Sequence, residues 1–295
     1  MKRQIGLVAC ALLTAMAPPN EDGTIVPEVA ARQGDYARAR QGFTTHLLRR
    51  GPSPQRLAMP AAPAGVGEIA FRSGGLTLRA WVGLPAVRRA RMPVVIFLHG
   101  GFGFGMEDWE MAAPYRAAGF VVIAPILRGE NGQAGSFSLF YDEVDDVMAA
   151  GAFARRLPYV DPRRVYLAGH SVGGTLALLA AAASPRFRAV ASFSASPDQV
   201  IFTRYGIRPG DIPFDSSDRR ELEMRSPLSW AASLKAPARL YFGDREAHWR
   251  LSSRRLAELA RAAGRDVAVE EMPGGHESAV PEAMQRSIAF FRANR

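Results

Sequence analysis

The chain has 295 residues, 48% of them apolar and 22% charged; that balance excludes a disordered chain or a multi-span membrane protein and fits one large α/β domain with an appendage. Basic residues outnumber acidic ones 37 to 28, for a net charge of +9, but all the basic ones except Lys2 and Lys235 are arginines spread along the chain. A nucleic-acid surface would cluster them with stacking aromatics between, so no nucleic-acid partner is expected. The single cysteine, Cys10, excludes an intrachain disulfide framework and a cysteine-based zinc site.

In chain order, Met1-Lys2-Arg3-Gln4, the apolar run Ile5 to Leu13 and Ala15-Met16-Ala17 have the three-part form of an export leader over 1–17. The run is too short to span a bilayer. Leu7-Val8-Ala9-Cys10 also has the form of a lipoprotein box, which would make Cys10 a lipid-attachment point. Export to the periplasm or medium is expected, with membrane contact only through this leader or anchor. A buried amphipathic helix in a cytoplasmic protein is the alternative. Residues 18–66 carry seven prolines around one predicted helix, Asp35 to Arg50, and form an N-terminal arm.

From Gly67 the texture changes. Gly67 to Arg72 and Leu76 to Leu84 are predicted strands joined by a Ser73-Gly74-Gly75 hairpin turn. Further strands are expected at Val94 to Leu98, Phe120 to Ala124, Val165 to Ala168, Val190 to Phe193, Arg239 to Phe242 and Val267 to Met272. Helical windows at Met106–Ala118, Asp142–Leu157, Val172–Ala183, Ser252–Ala263 and Pro281–Asn294 alternate with them. This alternation predicts an α/β fold over 67–295: a mainly parallel sheet covered by helices on both faces, with the N-terminal hairpin as an antiparallel edge. Ligands of such sheets bind at the carboxyl ends of the strands.

One strand-to-helix junction carries Gly169-His170-Ser171-Val172-Gly173, the Gly-x-Ser-x-Gly form of a nucleophile elbow. A turn this tight requires the residues two before and two after the serine to lack side chains, and it exposes Ser171 at a helix N-terminus where negative charge is favoured. A capping serine in an ordinary turn is the plainer reading. A serine hydroxyl is a weak nucleophile and needs a base and an orienting acid, expected downstream in the order serine, acid, histidine. Of five histidines, His276 lies in the Gly-rich loop after the last strand, where such a base belongs; His248 reads as a pocket or surface residue. Asp244 and Glu246 compete for the acid after Phe242.

Acyl transfer also needs donors for a developing oxyanion. Val172 N–H is one, and the loop His99-Gly100-Gly101-Phe102-Gly103-Phe104-Gly105 offers Gly101 N–H as the preferred second and Phe102 N–H as the reserve. That loop does not fit a dinucleotide fingerprint, because Met106 stands at the third glycine position and no acidic residue closes the following strand. No cofactor or metal is expected; Asp145-Asp146 has no matching ligands elsewhere. Ser196 to Ser226 lacks strand-helix alternation and reads as a cap-like insertion, 196–226, roofing the pocket. Arg204, Arg208, Arg219, Arg220 and Arg225 in and beside it face either an anionic substrate or, more simply, solvent. Phe102, Phe104, Trp109, Phe140 and Trp249 line an acyl site or pack the core.

Taken together, His99-Gly100-Gly101, Val160-Asp161-Pro162-Arg163-Arg164-Val165 leading into the Ser171 junction, Ser226-Pro227-Leu228 and Gly275-His276 resemble the α/β-hydrolase fold. Within it they are similar to the catalytic domains of the prolyl oligopeptidase family and the dienelactone-hydrolase-like esterases. The resemblance spans Gly67 to Arg295 and implies Ser171 as nucleophile and His276 as base. In the family the acid stands three residues after the glycine of a His-Gly-x-x-Asp segment. Phe242-Gly243-Asp244-Arg245-Glu246 corresponds to it, so Glu246 takes the acid's place, with Phe for His and Glu for Asp, and Asp244 in reserve. Dienelactone hydrolases proper use cysteine where this chain has Ser171. The oligopeptidases carry a large β-propeller ahead of the domain, which about fifty residues cannot build. A serine hydrolase cleaving a small-molecule ester through an acyl-enzyme is therefore expected, with a peptidase releasing short N-terminal fragments, or a non-catalytic binding protein on the same scaffold, as the alternatives.

Overall fold

A computed structural model describes residues 25–295; the leader and Cys10 lie outside the described residues. The expected architecture is found: one eight-stranded sheet in the order β1-β2-β4-β3-β5-β6-β7-β8. β1 (Gly67–Ser73) and β2 (Leu76–Gly83) form the antiparallel hairpin, and β2 also runs antiparallel to β4 (Val121–Pro125). β3 (Met92–Leu98), β4, β5 (Val160–His170), β6 (Val190–Phe193), β7 (Ala238–Gly243) and β8 (Val267–Met272) are parallel.

Period-2 alternation on β3 decides which side chains meet which helices. Val94, Ile96 and Leu98 join a core with α4 (Glu143–Ala154), α5 (Val172–Ala183) and α8 (Ala247–Ala262). Val95 and Phe97 face the other way, onto α2 (Met106–Met111), α3 (Ala113–Ala117) and α9 (Val280–Ala293). α5 is buried along its whole length, as an all-apolar helix under a sheet must be.

Several boundaries differ from expectation. The window Met106–Ala118 splits at Ala112, because Pro114 opens a new first turn. α8 begins five residues early, directly after Glu246. Among the described residues of the arm only Tyr36–Gln41 is helical, α1, capped at its start by the Asp35 side chain and ended by Gly42; beyond it Leu47 makes a β-bridge with Phe214. The 196–226 region holds short turns, among them α6 (Gln199–Ile201) and α7 (Arg219–Met224), and the arm packs on it. Asp198 accepts from Glu28 N–H and Val29 N–H, and Tyr36 donates to Met224 O. Among the described residues no helix is long and apolar enough to cross a membrane.

Candidate active site

β5 delivers Ser171 to the sheet edge with φ 53° and ψ −115°, a conformation that a residue with a side chain adopts only when its surroundings force it. The forcing is visible on both sides. A Cβ on Gly169 would overlap Gly173 O, and one on Gly173 would overlap Leu98 O and crowd His99 O. Ser171 N–H is fastened to Phe193 O at 2.8 Å, at the end of β6. Its side chain stays partly accessible, and Val172 N–H, in the first turn of α5, has no intrahelical acceptor.

β7 and β8 end at the same rim of the sheet, two and three strands along from β5. Glu246, 2% exposed, places Oε1 at 2.6 Å from His276 Nδ1, while its Oε2 accepts from Ser194 Oγ at 2.6 Å and Gly243 N–H at 2.7 Å. Burial pushes this carboxyl up. The hydrogen bond and charge of His276 and the donors Ser194 and Gly243 outweigh it and hold the group below its ordinary value. Asp244 serves a different purpose, accepting from Gly274 N–H at 3.0 Å and so tying the acid turn to the histidine loop. The two loops touch so closely that a Cβ on Gly243 would strike Gly274 O.

His276 O in turn accepts from His170 Nε2 at 2.9 Å, and the two rings lie 4.7 Å apart. Burial, then the neighbouring His276, depress the His170 pKa to about 4. Thus the residue preceding Ser171 grips the backbone of the His276 loop. Ser171 and His276 stand at the same rim of the sheet, after β5 and β8, but Ser171 Oγ and the His276 ring are not hydrogen-bonded to each other. His248 packs edge-on against Trp249 and bonds to neither Glu246 nor His276.

The loop after β3 is held by side chains at four of its amides. Gly100 and Gly105 N–H donate to Asp108, Phe104 N–H to Asn131 Oδ1 at 2.8 Å, and Phe102 N–H to Gln55 Oε1 at 2.5 Å. Gly101, at φ +64°, has no acceptor for its N–H among the described residues. Gly100 faces the elbow: a Cβ there would lie 3.6 Å from Ser171 Cβ. Of the two donors considered in this loop, Phe102 N–H is thus already engaged and Gly101 N–H is open.

Sequence reasoning missed the base of this loop. His99 is buried with Nδ1 at 2.9 Å from Gly100 O and Nε2 at 2.9 Å from Glu130 Oε2. Both neighbours are acceptors, an arrangement that favours a proton on each ring nitrogen. Burial pulls its pKa down, but the Glu130 carboxylate more than compensates and raises it to about 9. Nothing in the spacing of the chain marks Glu130 as its partner.

The side chains around the 196–226 region correct one expectation. Arg225 faces neither a substrate nor solvent. It is fully buried against Glu221, Thr45 Oγ1 and Ser138 O. Arg204 pairs with Glu28, and Arg219 donates to Glu28 O, so these arginines fasten the arm. Phe104 and Trp109 both pack edge-on against Trp81 in the core. Phe140 meets Phe202, Phe102 meets Phe137, and Trp249 is buried in the other core. Asp146 pairs with Arg128 and Asp145 with Arg40.

Comparison with known proteins places this geometry in context. The alpha/beta hydrolase family profile matches residues 95–286. The uncharacterized peptidase YuxL of Bacillus subtilis is 25% identical over 189 residues, which cover 58% of this chain and 29% of that protein. The acylaminoacyl peptidase of Pyrococcus horikoshii superposes with a TM-score of 0.61 at 22% identity, over 78% of this chain and 41% of its own. A point mutant of the esterase rPPE does so with a TM-score of 0.64 at 19% identity, over 78% and 84%. The structural likenesses, at these identities, speak for the fold. The chain spans under a third of YuxL and about two fifths of the Pyrococcus enzyme.

Proposed function

The chain belongs to the alpha/beta hydrolase family, and we propose that it is a serine hydrolase that cleaves a carboxylic ester through an acyl-enzyme. The observation that carries this reading is the Glu246–His276 pair, at 2.6 Å, set on strand ends next to a serine strained into the bend between β5 and α5. In the proposed mechanism Ser171 Oγ attacks the acyl carbon while His276 takes its proton. Glu246 keeps the imidazole in the tautomer with Nδ1 protonated and stabilises the imidazolium. Val172 N–H and Gly101 N–H receive the oxyanion. His276 then gives the proton to the leaving alcohol, and a water activated by the same ring releases the acid.

The mechanism requires the Ser171–His276 hydrogen bond to form around substrate, where such bonds often tighten. A fluorophosphonate probe should label the wild-type protein and leave Ser171→Ala unlabelled; equal labelling of both would sink the mechanism.

A second reading, amide cleavage by a peptidase releasing short N-terminal fragments, is favoured by the names of YuxL and the Pyrococcus enzyme. Against it, the buried carboxylates that follow the strand ends, Glu246, Glu130 and Asp198 in loops and Asp108 in α2, are all held by internal donors. None of the four is left to receive a peptide's ammonium group. Rates on p-nitrophenyl esters of increasing acyl length, measured beside aminoacyl and dipeptidyl amides, separate the two.

A further inference from the structure

The loop His99–Gly105 has four glycines in seven residues, and a loop of that composition has many conformations to lose before a backbone N–H can serve as a fixed donor. Oxyanion stabilisation works only when the donors are already in place. Gly101 is the pivot: the peptide before it carries the open N–H, and the peptide after it carries Phe102 N–H. The first is anchored at its carbonyl, because His99 Nδ1 donates to Gly100 O at 2.9 Å. The second is anchored at its amide, and the acceptor there comes from the distant N-terminal arm, Gln55 Oε1 at 2.5 Å.

The arm segment around Gln55 is itself fixed. Ser53 N–H donates to Gly129 O at 2.9 Å, Phe137 N–H to Gly51 O at 2.9 Å, and Asn131 Nδ2 to Ala58 O at 3.0 Å. Asn131 also accepts from Phe104 N–H, so one side chain ties the arm and the glycine loop together. Space at the pivot is tight as well: a Cβ on Gly101 would come within 2.7 Å of Gln55 Oε1.

We propose that Gln55 is a positioning residue for the hydrolytic site: by accepting from Phe102 N–H it fixes the peptide after Gly101 and so aims Gly101 N–H at the oxyanion. The arm is then part of the active site's framework. This rests on the serine-hydrolase reading, and the experiment keeps the two apart. Gln55→Met removes the acceptor at nearly constant length, while Gln55→Glu keeps an acceptor. Gln55 is half-buried, so neither change opens the core.

In Gln55→Met, kcat on the best p-nitrophenyl ester should fall about tenfold with KM within about twofold, less than the loss from deleting an oxyanion donor outright. Hydrogen exchange, followed by mass spectrometry, should speed up at least about tenfold in the peptide covering 99–105. Gln55→Glu should keep the slow exchange. An unchanged kcat in Gln55→Met overturns the proposal, and so does a raised one, which would make the arm a plug. Unaltered exchange overturns it too, and that arm needs no turnover. A wild-type protein that is neither labelled nor active fails the hydrolase reading instead, and the brace is then judged by exchange alone.

Discussion

His276 Nδ1 sits 2.6 Å from one oxygen of Glu246 while Ser194 and Gly243 hold the other, so the carboxylate is fixed from both ends before it fixes the ring. Ser194, at φ 49°, is itself bent out of the regular strand conformation at the end of β6.

Removing the charge but not the shape, Glu246→Gln should lower kcat by about 10³ to 10⁴ with little change in KM, because the imidazole then loses its tautomer and its counter-charge. Ser194→Ala should cost about tenfold, since Gly243 N–H remains. Asp244→Asn leaves the pair intact and should retain activity within a few-fold. Steady-state kinetics on one ester series decide all three; an Asp244→Asn loss equal to that of Glu246→Gln would reassign the acid.

Stability should fall on both sides of neutrality, for two different histidines. His170 has a folded pKa depressed to about 4, so the folded state resists a proton that the unfolded chain accepts near 6.5. Its contribution is present above about 6.5 and is lost as the pH falls toward 4. His99 is raised to about 9. Its contribution is complete below about 6.5 and is lost as the pH rises through 9. Each limb is worth roughly 3 kcal/mol at most. Urea midpoints at pH 5, 7 and 9 test this, and His170→Gln should flatten only the acid limb.

Gly173→Ala should be the most damaging of the conservative glycine changes, because its Cβ meets the backbone oxygens of Leu98 and His99, which cannot rotate away. The expected loss is at least about 3 kcal/mol of stability, together with loss of fluorophosphonate labelling. Gly210→Ala, with open space around its Cβ position, should change neither. Denaturant unfolding of the two variants side by side is the check.

Arg225→Met should destabilise by about 3 to 5 kcal/mol, since it strands Glu221 in the interior. Arg225→Lys should recover little, because one ammonium cannot span Glu221, Thr45 and Ser138 together. Arg225→Met combined with Glu221→Leu should regain part of the loss. Limited proteolysis near residues 43–48 should quicken in the single variant only, as the arm comes free.

The fold was legible in the chain because strand and helix faces are written locally: β3 alternates and α5 is apolar all round, whatever lies beyond them. The Ser171 junction was legible for a similar reason, since two glycines at fixed offsets are the steric condition for the turn. The order of the loops also pointed to His276 and to the turn after Phe242, where Asp244 and Glu246 competed until the family resemblance put Glu246 first. What those signals do not contain is partnership across long stretches of chain. Gln55 meets Phe102 across 47 residues, His99 meets Glu130 across 31, and Arg225 meets Thr45 across 180. Hydrogen bonds and ion pairs act over a few ångströms and have no period, so only the packed tertiary structure decides which polar groups they join.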